Sequence, residues 1–225
     1  MGKQIKILLI ADSYALPRLA IKSAQVELKY LQTYPEQLRR NLHNNLNAEI
    51  VLLTLAEHAQ VTTCLQVDMP MQVRFLEPDY IIIQLGLADL WPATVKRGAP
   101  RYPFLQGCDP WVTLAEYRAN IKNFVAYCRR ENSAVQVILI NIPWVSENQY
   151  WRNPEAYERT QTYNNCLQEL SEQLKIILLD WYSLSKQLSE QILGSDELHL
   201  NAVGSSLLGS ELANKIIQQV GESDG

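Results

Sequence analysis

Residues 5–18, IKILLIADSYALPR, join an apolar run to a turn that contains a serine. The run from Ile5 to Ile10 is short and rich in Ile and Leu, a pattern that predicts a strand buried on both faces. Ser13 follows where the run ends, in a position typical of a helix cap and also of a nucleophile on a strand-to-helix turn. The choice depends on whether the chain supplies a base, an orienting acid and donors for an oxyanion.

Four further runs of the same kind occur along the chain. They are EIVLLTL (from Glu49), YIIIQLG (from Tyr80), VQVILINIP (from Val135) and KIILLDW (from Lys175). Between the runs lie amphipathic segments of helical length, at residues 35–46, 113–130, 154–174 and 201–220. Strands that alternate with helices predict a parallel sheet covered on both sides. We expect one domain over residues 1–220, a flexible tail over 221–225, and a loop over the carboxyl edge of the sheet at 91–111.

The composition argues against several classes of protein. The chain has 225 residues and a formal net charge of −4, and its basic residues are scattered, so it shows no footprint for nucleic-acid binding. No apolar run reaches the ~20 residues that a membrane span needs. The four cysteines lack a C-x-x-C pair, which indicates free thiols rather than a zinc site or a disulfide frame. With no signal-peptide pattern before the first strand, the expectation is a cytoplasmic protein.

The chain has three histidines, each a candidate partner for Ser13. His43 lies in a polar helix end and is expected to be solvated. His58 follows the second apolar run, where it could share the carboxyl edge with Ser13. His199 lies in SDELHLNAVG, three residues after Asp196 and directly before the last helical segment. An imidazole and a carboxylate on one short loop can act as the base and the orienting acid for a serine nucleophile.

These motifs together resemble a known family. ADS after a first strand, GLAD after a third strand and D-x-x-H-x-N-x-x-G before a final helix are the block layout of the SGNH, or GDSL, hydrolases. More narrowly, ADSYALPR, TYPEQL and PDYIIIQLGLAD look like the branch found with polysaccharide biosynthesis genes. The resemblance implies a three-layer α/β/α, flavodoxin-like fold with strand order 2-1-3-4-5, and ester hydrolysis or acyl transfer. It also implies Ser13 as the nucleophile, His199 as the base and Asp196 as the orienting acid.

The chain departs from the family pattern where the family holds the oxyanion. The family's second block carries a glycine whose backbone N–H helps to hold the oxyanion, but TLAEHAQVTT has no glycine, and Ala59 or Gln60 stands nearest. The third block of the family is G-x-N-D. Here it reads GLAD, so Ala88 replaces the asparagine donor. Gly86 and the backbone N–H of Ser13 would shape what remains, and we expect an impaired oxyanion hole. The candidates for a replacement donor are His58, Gln60 and Arg18.

Other residues near the motifs allow a functional and a structural interpretation. Asp12 and Asp89 are expected to brace backbone N–H groups rather than to react. Trp91 follows the third strand, where it could stack on a sugar ring or close the core under a loop, with about even support. The same alternatives apply to Trp144, Trp181, Tyr102, Trp111 and Trp151. Four loop arginines could bind an anionic saccharide, although such charges are usually solvated: Arg18, Arg97, Arg101 and Arg152.

The sequence therefore predicts a serine esterase or deacylase that acts on an O-acylated sugar or a similar small ester, without a metal or an organic cofactor. The alternatives are an acyltransferase with the same triad and a non-catalytic carbohydrate-binding relative. A nucleotide- or flavin-binding module is disfavoured, because no G-x-G-x-x-G or P-loop follows any strand. The expected partner is a saccharide or small-molecule ester, with no nucleic acid, and the oligomeric state is left open.

Overall fold

A computed structural model of the chain describes residues 3–20, 25–91 and 110–223. The strands are β1 Gln4–Ala11, β2 Arg18–Leu19, β3 Val26–Leu28, β4 Glu49–Ala56, β5 Tyr80–Gln84, β6 Gln136–Ile140 and β7 Ile177–Leu179. The helices are α1 Tyr34–Asn45, α2 Cys64–Val67, α3 Met69–Leu76, α4 Leu114–Glu131, α5 Glu147–Arg152, α6 Pro154–Leu174, α7 Trp181–Ile192 and α8 Ala202–Ser223. Three-residue 3₁₀ turns cover Ser13–Ala15 and Tyr30–Gln32. Most of the loop predicted at 91–111 lies outside the described residues, with Arg97, Arg101, Tyr102 and Cys108, and so does the side chain of Arg152.

The first strand lies in the middle of the main sheet. Five parallel strands are arranged in the order β4-β1-β5-β6-β7. Gln4 of β1 pairs with Glu49 of β4, and Ile7 pairs with Tyr80 of β5. Residues 7–11 have no exposed surface, because β1 has a strand on each edge and helices over both faces. The predicted α/β fold and the order 2-1-3-4-5 of the five apolar runs are confirmed.

The helices form two groups, one for each outer layer. α8 packs on both α1 and α7, whereas α2, α3, α4 and α6 form the second group. α1 and α8 approach closely, since a Cβ on Gly209 would lie 2.6 Å from the Cβ of Gln37. α4 begins with a capping box, in which Thr113 and Glu116 each accept the other's backbone N–H. α8 continues to Ser223, three residues past the boundary at residue 220 that the sequence suggested.

The described cysteines are buried and free. These are Cys64, Cys128 and Cys166. Burial raises the pKa of Cys64 and of Cys128 to about 12, so both are thiols at neutral pH. Within the described ranges no helix has both the length and the hydrophobicity needed to cross a bilayer.

A small antiparallel hairpin, β2–β3, follows the turn that contains Ser13. Arg18 begins the hairpin, and its Nη2 donates to the backbone oxygen of Leu200 at 2.6 Å. Glu27, in β3, accepts the backbone N–H of Ser195 at 2.5 Å. The hairpin therefore ties the segment after β1 to the loop at 193–200, which precedes α8. The sequence pattern does not predict this hairpin.

Candidate active site

Segments that follow three neighbouring strands meet at one edge of the sheet. The carboxyl ends of parallel strands lie at the same edge, which brings together the residues after β1, β4 and β5. The backbone N–H of Asp12 donates to the carbonyl of Gln84 at 3.2 Å, joining the turn after β1 to the end of β5. Thr62, beyond β4, donates its backbone N–H to Oδ1 of Asp89 at 2.9 Å. The loop at 193–200 completes this edge.

Ser13 occupies the first position of the 3₁₀ turn after β1, and Asp12 is the residue that caps this turn. Oδ1 of Asp12 accepts the backbone N–H of Tyr14 at 2.9 Å. Because Asp12 satisfies the capping role, the hydroxyl of Ser13 is available for another partner. The residue that caps this turn is therefore Asp12, directly before Ser13.

Three side chains form a continuous hydrogen-bonded row at this edge. Oγ of Ser13 lies 2.7 Å from Nε2 of His199, and Nδ1 of His199 lies 2.7 Å from Oδ2 of Asp196. Ser13 and His199 stand 186 positions apart in the chain, so the completed fold has to bring them together. In this geometry the imidazole can take a proton from the hydroxyl while the carboxylate fixes the ring.

The loop at 193–200 holds Asp196 in place through its own backbone. The second oxygen of Asp196, Oδ1, accepts the backbone N–H groups of Leu198 and His199 at 3.0 and 2.9 Å. The side chain of Gln149 donates to the backbone oxygen of Asp196 at 2.7 Å. Burial opposes ionisation, but the bonds from His199 outweigh it and hold the pKa of Asp196 well below its usual range. Asp196 is therefore a carboxylate at every pH at which the site could work.

Arg18 lies near the same carboxylate oxygen of Asp196 that the imidazole contacts. Its Nε is 3.8 Å from Oδ2 of Asp196 and 3.0 Å from Oε2 of Glu27. A third partner is the carbonyl of Leu200. Nε and Nη2 of the Arg18 guanidinium are thus bonded within the protein.

Asp89 is fully buried and braces the loop after β4. Its Oδ1 accepts both the backbone N–H and the hydroxyl of Thr62, at 2.9 and 2.5 Å. Its Oδ2 has no hydrogen-bond partner among the described residues, and the same is true of Oδ2 of Asp12. Burial raises the pKa of Asp89 to about 7 and that of Asp12 to about 6, so two poorly solvated carboxyls lie beneath the site.

The segment after β5 turns sharply at Gly86. Its φ is +130°, a conformation that residues with a Cβ rarely adopt. The carbonyl of Gly86 accepts the N–H of Leu90 at 3.1 Å, and that of Ala88 accepts the N–H of Trp91 at 3.2 Å. The methyl side chain of Ala88 has no donor to offer an oxyanion.

The segment after β4 holds the remaining oxyanion candidates. His58 is exposed, on the turn that follows β4. Ala59 has a φ of +53°, the left-handed conformation that glycine adopts most readily. Gln60 donates its backbone N–H to the carbonyl of Glu57 at 3.4 Å. The backbone at Ala59 therefore takes a glycine-like conformation without the glycine.

The tryptophans near the strand ends are mainly core residues. Trp181 is 1% exposed, and Trp144 is 8% exposed within an aromatic cluster. The rings around Trp144 are those of Tyr150, Tyr157 and Tyr182. Trp91 is partly buried against the core, whereas Trp151 is 67% exposed. The core interpretation therefore holds for Trp144 and Trp181.

The sequence pattern does not predict several of the residues that shape this edge. Glu27 contacts the loop at 193–200 because the β2–β3 hairpin carries it there. Ser146 caps α5 by accepting the N–H of Gln149, and its hydroxyl also donates to Glu197 at 3.2 Å. The spacing S-x-x-Q at residues 146–149 is a recognisable capping pattern, so α5 was detectable in the sequence even though its contact with Glu197 was not.

Solved structures with this fold include several esterases. A lipase/acylhydrolase from Enterococcus faecalis is 19% identical, with a TM-score of 0.69 over 96% of this chain and 97% of that chain. Axe2, an acetylxylan esterase from Geobacillus stearothermophilus, is 17% identical, with a TM-score of 0.70 over 98% of this chain and 95% of that chain. These likenesses are to the fold.

Sequence comparison adds a curated relative and a family. The GDSL esterase/lipase CPRD49 of Arabidopsis thaliana is 24% identical over 120 residues, which are 49% of this chain and 47% of the relative. The match thus spans about half the length of that relative. The model of the GDSL-like Lipase/Acylhydrolase family matches residues 22–207, most of the chain. With the sheet order and the convergence of the strand ends described above, this match shows that the chain belongs to the GDSL-like lipase/acylhydrolase family.

Proposed function

We propose that this protein is a carboxylic-ester hydrolase with Ser13 as the nucleophile, His199 as the general base and Asp196 as the orienting acid. The observation that carries the proposal is the row of two 2.7 Å contacts, from Oγ of Ser13 through the ring of His199 to Oδ2 of Asp196. Family membership supports the same reaction class.

The reaction follows from this row in two halves. Oγ of Ser13 attacks the acyl carbonyl carbon as its proton passes to Nε2 of His199, and Asp196 stabilises the imidazolium that results. The tetrahedral intermediate then expels the alkoxide, which accepts the proton from Nε2 and leaves as an alcohol. A water molecule attacks the acyl-serine in the same way and releases the carboxylic acid, restoring Ser13.

The oxyanion hole is the weak part of the proposed site. The backbone N–H of Ser13 is one donor. As the second, we assign the backbone at Ala59, in the segment where the second block of the family carries its glycine, because its φ of +53° is a conformation that glycine adopts readily. The third-block donor is absent because Ala88 has no polar side chain. Losing one such donor costs roughly 10² to 10³ in turnover in enzymes that normally possess it.

We expect Ala88→Asn to raise kcat for an activated aryl ester with little change in KM. The new amide would bond the oxygen mainly after it becomes an anion, so the gain falls on the transition state. It should be smaller than the factor of about 10² to 10³ above, because the neighbouring side chains are not shaped for asparagine. Steady-state kinetics with Ala88→Ser as a smaller polar control checks this; an unchanged kcat would mean that another group already fills the position.

For the substrate, we propose an O-acylated sugar. The support is the likeness in fold to an acetylxylan esterase and the narrower resemblance of ADSYALPR and PDYIIIQLGLAD to proteins of polysaccharide biosynthesis. Acetate release from acetylated xylo-oligosaccharides, compared with release from 4-nitrophenyl acetate, tests the preference. A sugar hydroxyl in place of water as the second acceptor would make the protein an acyltransferase, and transfer to added oligosaccharide would reveal that.

The test of the nucleophile is covalent labelling. A fluorophosphonate probe should modify Ser13, as located by peptide mapping, and the label should be lost in Ser13→Ala and in His199→Ala. Ser210→Ala and His43→Ala remove a hydroxyl and an imidazole elsewhere on the chain and should leave labelling intact.

Two results would contradict the proposal. Label retained in His199→Ala would show that the imidazole is not the base. An unlabelled Ser13 in the wild type, without turnover of any ester, would favour the carbohydrate-binding relative, for which the missing donor at Ala88 is the supporting observation.

A further inference from the structure

The proposed triad is part of a longer row of charges. From Glu27 the row passes to Arg18 over 3.0 Å, to Asp196 over 3.8 Å, and then to His199 over 2.7 Å. The side chains of Arg18 and Glu27 are each only 15% exposed, and that of Asp196 is 4% exposed. Charges shielded from water in this way act on one another more strongly than surface pairs do.

The two outer members of the row are held rigidly. Glu27 accepts the backbone N–H of Ser195 with one oxygen and Nε of Arg18 with the other. Although burial opposes it, these bonds keep the pKa of Glu27 below its usual range. Arg18 also donates to the carbonyl of Leu200. The hairpin is thus hydrogen-bonded to the loop both before Asp196, at Ser195, and after His199, at Leu200.

We propose that Arg18 and Glu27 are positioning residues that set how strongly Asp196 stabilises the protonated ring of His199, and so the pH at which the site becomes active. This inference rests on the proposed function for its kinetic meaning. Arg18 partly neutralises Asp196 and so weakens its hold on an imidazolium. Glu27 partly neutralises Arg18 and so has the opposite influence.

The other groups near the ring are the same in every variant of the pair, although Asp12, whose pKa burial raises to about 6, titrates itself. Asp12, after β1, lies close enough to His199 for their charges to interact, and the ring of Tyr14 is 6.1 Å from the imidazole. Glu197, on the loop itself, directs its carboxylate to Ser146 and Asn148. Differences between variants of the pair therefore report on Arg18 and Glu27.

The sign of each change follows from charge. Arg18→Met removes the positive charge beside Asp196, so the ring should hold its proton to a pH higher by about one unit. Glu27→Gln keeps the acceptor for Ser195 but leaves Arg18 unneutralised, so the ring should lose its proton at a pH lower by about half a unit. Arg18→Lys keeps the charge and should remain near the wild type.

The measurement is an NMR titration of the imidazole Cε1–H signals, which needs no turnover. The chain has three histidines, so His199→Ala assigns the signal, and His43 and His58 serve as internal references. Where the wild type hydrolyses an ester, the acid limb of its kcat/KM profile should move with the NMR midpoint, because the base has to be unprotonated. As controls, Arg74→Met and Glu131→Gln change an ion pair of similar geometry elsewhere and should shift nothing.

Opposite shifts in Arg18→Met and Glu27→Gln, with Arg18→Lys unmoved, support the inference even if no ester is turned over. Equal or absent shifts overturn it, including the case in which all three variants merely lose kcat as a structural brace would. If Ser13 is labelled but the midpoints do not move, the inference fails while the proposed function stands. If the midpoints move and Ser13 is never labelled, the proposed function fails alone.

Discussion

Ser13→Ala and His199→Ala should each lower kcat for an activated aryl ester by a factor on the order of 10³ to 10⁵, and the double variant should be no slower than either single variant. The reason is that the hydroxyl without a base, or the base without a hydroxyl, can no longer form the acyl-serine. The loss should fall short of the ~10⁶ known for complete triads, because Ala88 leaves the wild type with less transition-state stabilisation to lose.

Pre-steady-state and steady-state kinetics with 4-nitrophenyl acetate measure these losses. Ser210→Ala and His43→Ala again serve as matched controls and should retain wild-type kcat. Losses that multiply in the double variant would mean that Ser13 and His199 act independently, contrary to the 2.7 Å contact between Oγ and Nε2.

Gly86→Ala should destabilise the protein by about 2 to 4 kcal/mol, mainly through sterics at the end of β5. Gly86 has a φ of +130°, and a Cβ there would lie 2.6 Å from Cγ1 of Ile142 and 2.8 Å from the hydroxyl of Tyr117. The hydroxyl of Tyr117 is held by the carbonyl of Leu85 at 3.2 Å, and both Ile142 and Tyr117 are buried, so neither neighbour can move freely.

Thermal unfolding measures this effect, and we expect Tm to fall by roughly 5 to 15 °C. Gly221→Ala is the matched control, because a Cβ at that helical position meets nothing within 4 Å. Its Tm should be unchanged or slightly raised, as alanine favours helix over glycine. A Gly86→Ala protein as stable as the control would show that the turn after β5 relaxes without cost.

The sheet was predictable because its strands carry a strong and local signal. Five of the eight residues of β1 and three of the five residues of β5 are Ile or Leu with buried side chains, and a run of that kind strongly favours a strand buried on both faces. The order of the strands depended on the family resemblance as well as on the alternation with helices.

The helix at residues 69–76 was missed for a physical reason. Met69 and Val73 face the core, whereas Met71 and Phe75 on the opposite side are 56% and 79% exposed. The segment is therefore apolar on both sides, and its eight residues are fewer than those of any of the four segments of helical length that the pattern indicated. The last apolar run, KIILLDW, ends at Trp181, which is also the first residue of α7. The run pattern therefore does not separate the strand from this helix.

At the candidate site, local spacing was informative and distant contacts were not. Asp196 and His199 lie three residues apart on one loop, so the pattern itself indicated their contact. The partners of Arg18 are set by the hairpin, which places it beside a residue 178 positions later in the chain, and no local pattern encodes that proximity. The position of Arg18 beside Asp196 is evident only from the tertiary structure.

The central place of β1 also has a consequence for synthesis on the ribosome. β1 precedes both of its neighbours in the chain, since the strands that pair with its two edges begin at Glu49 and at Tyr80. Until those residues emerge, β1 is an unpaired apolar strand with two open edges, the kind of segment that pairs with other chains. During translation, pairing of the nascent protein with other chains is therefore most favoured in the interval before β5 is complete.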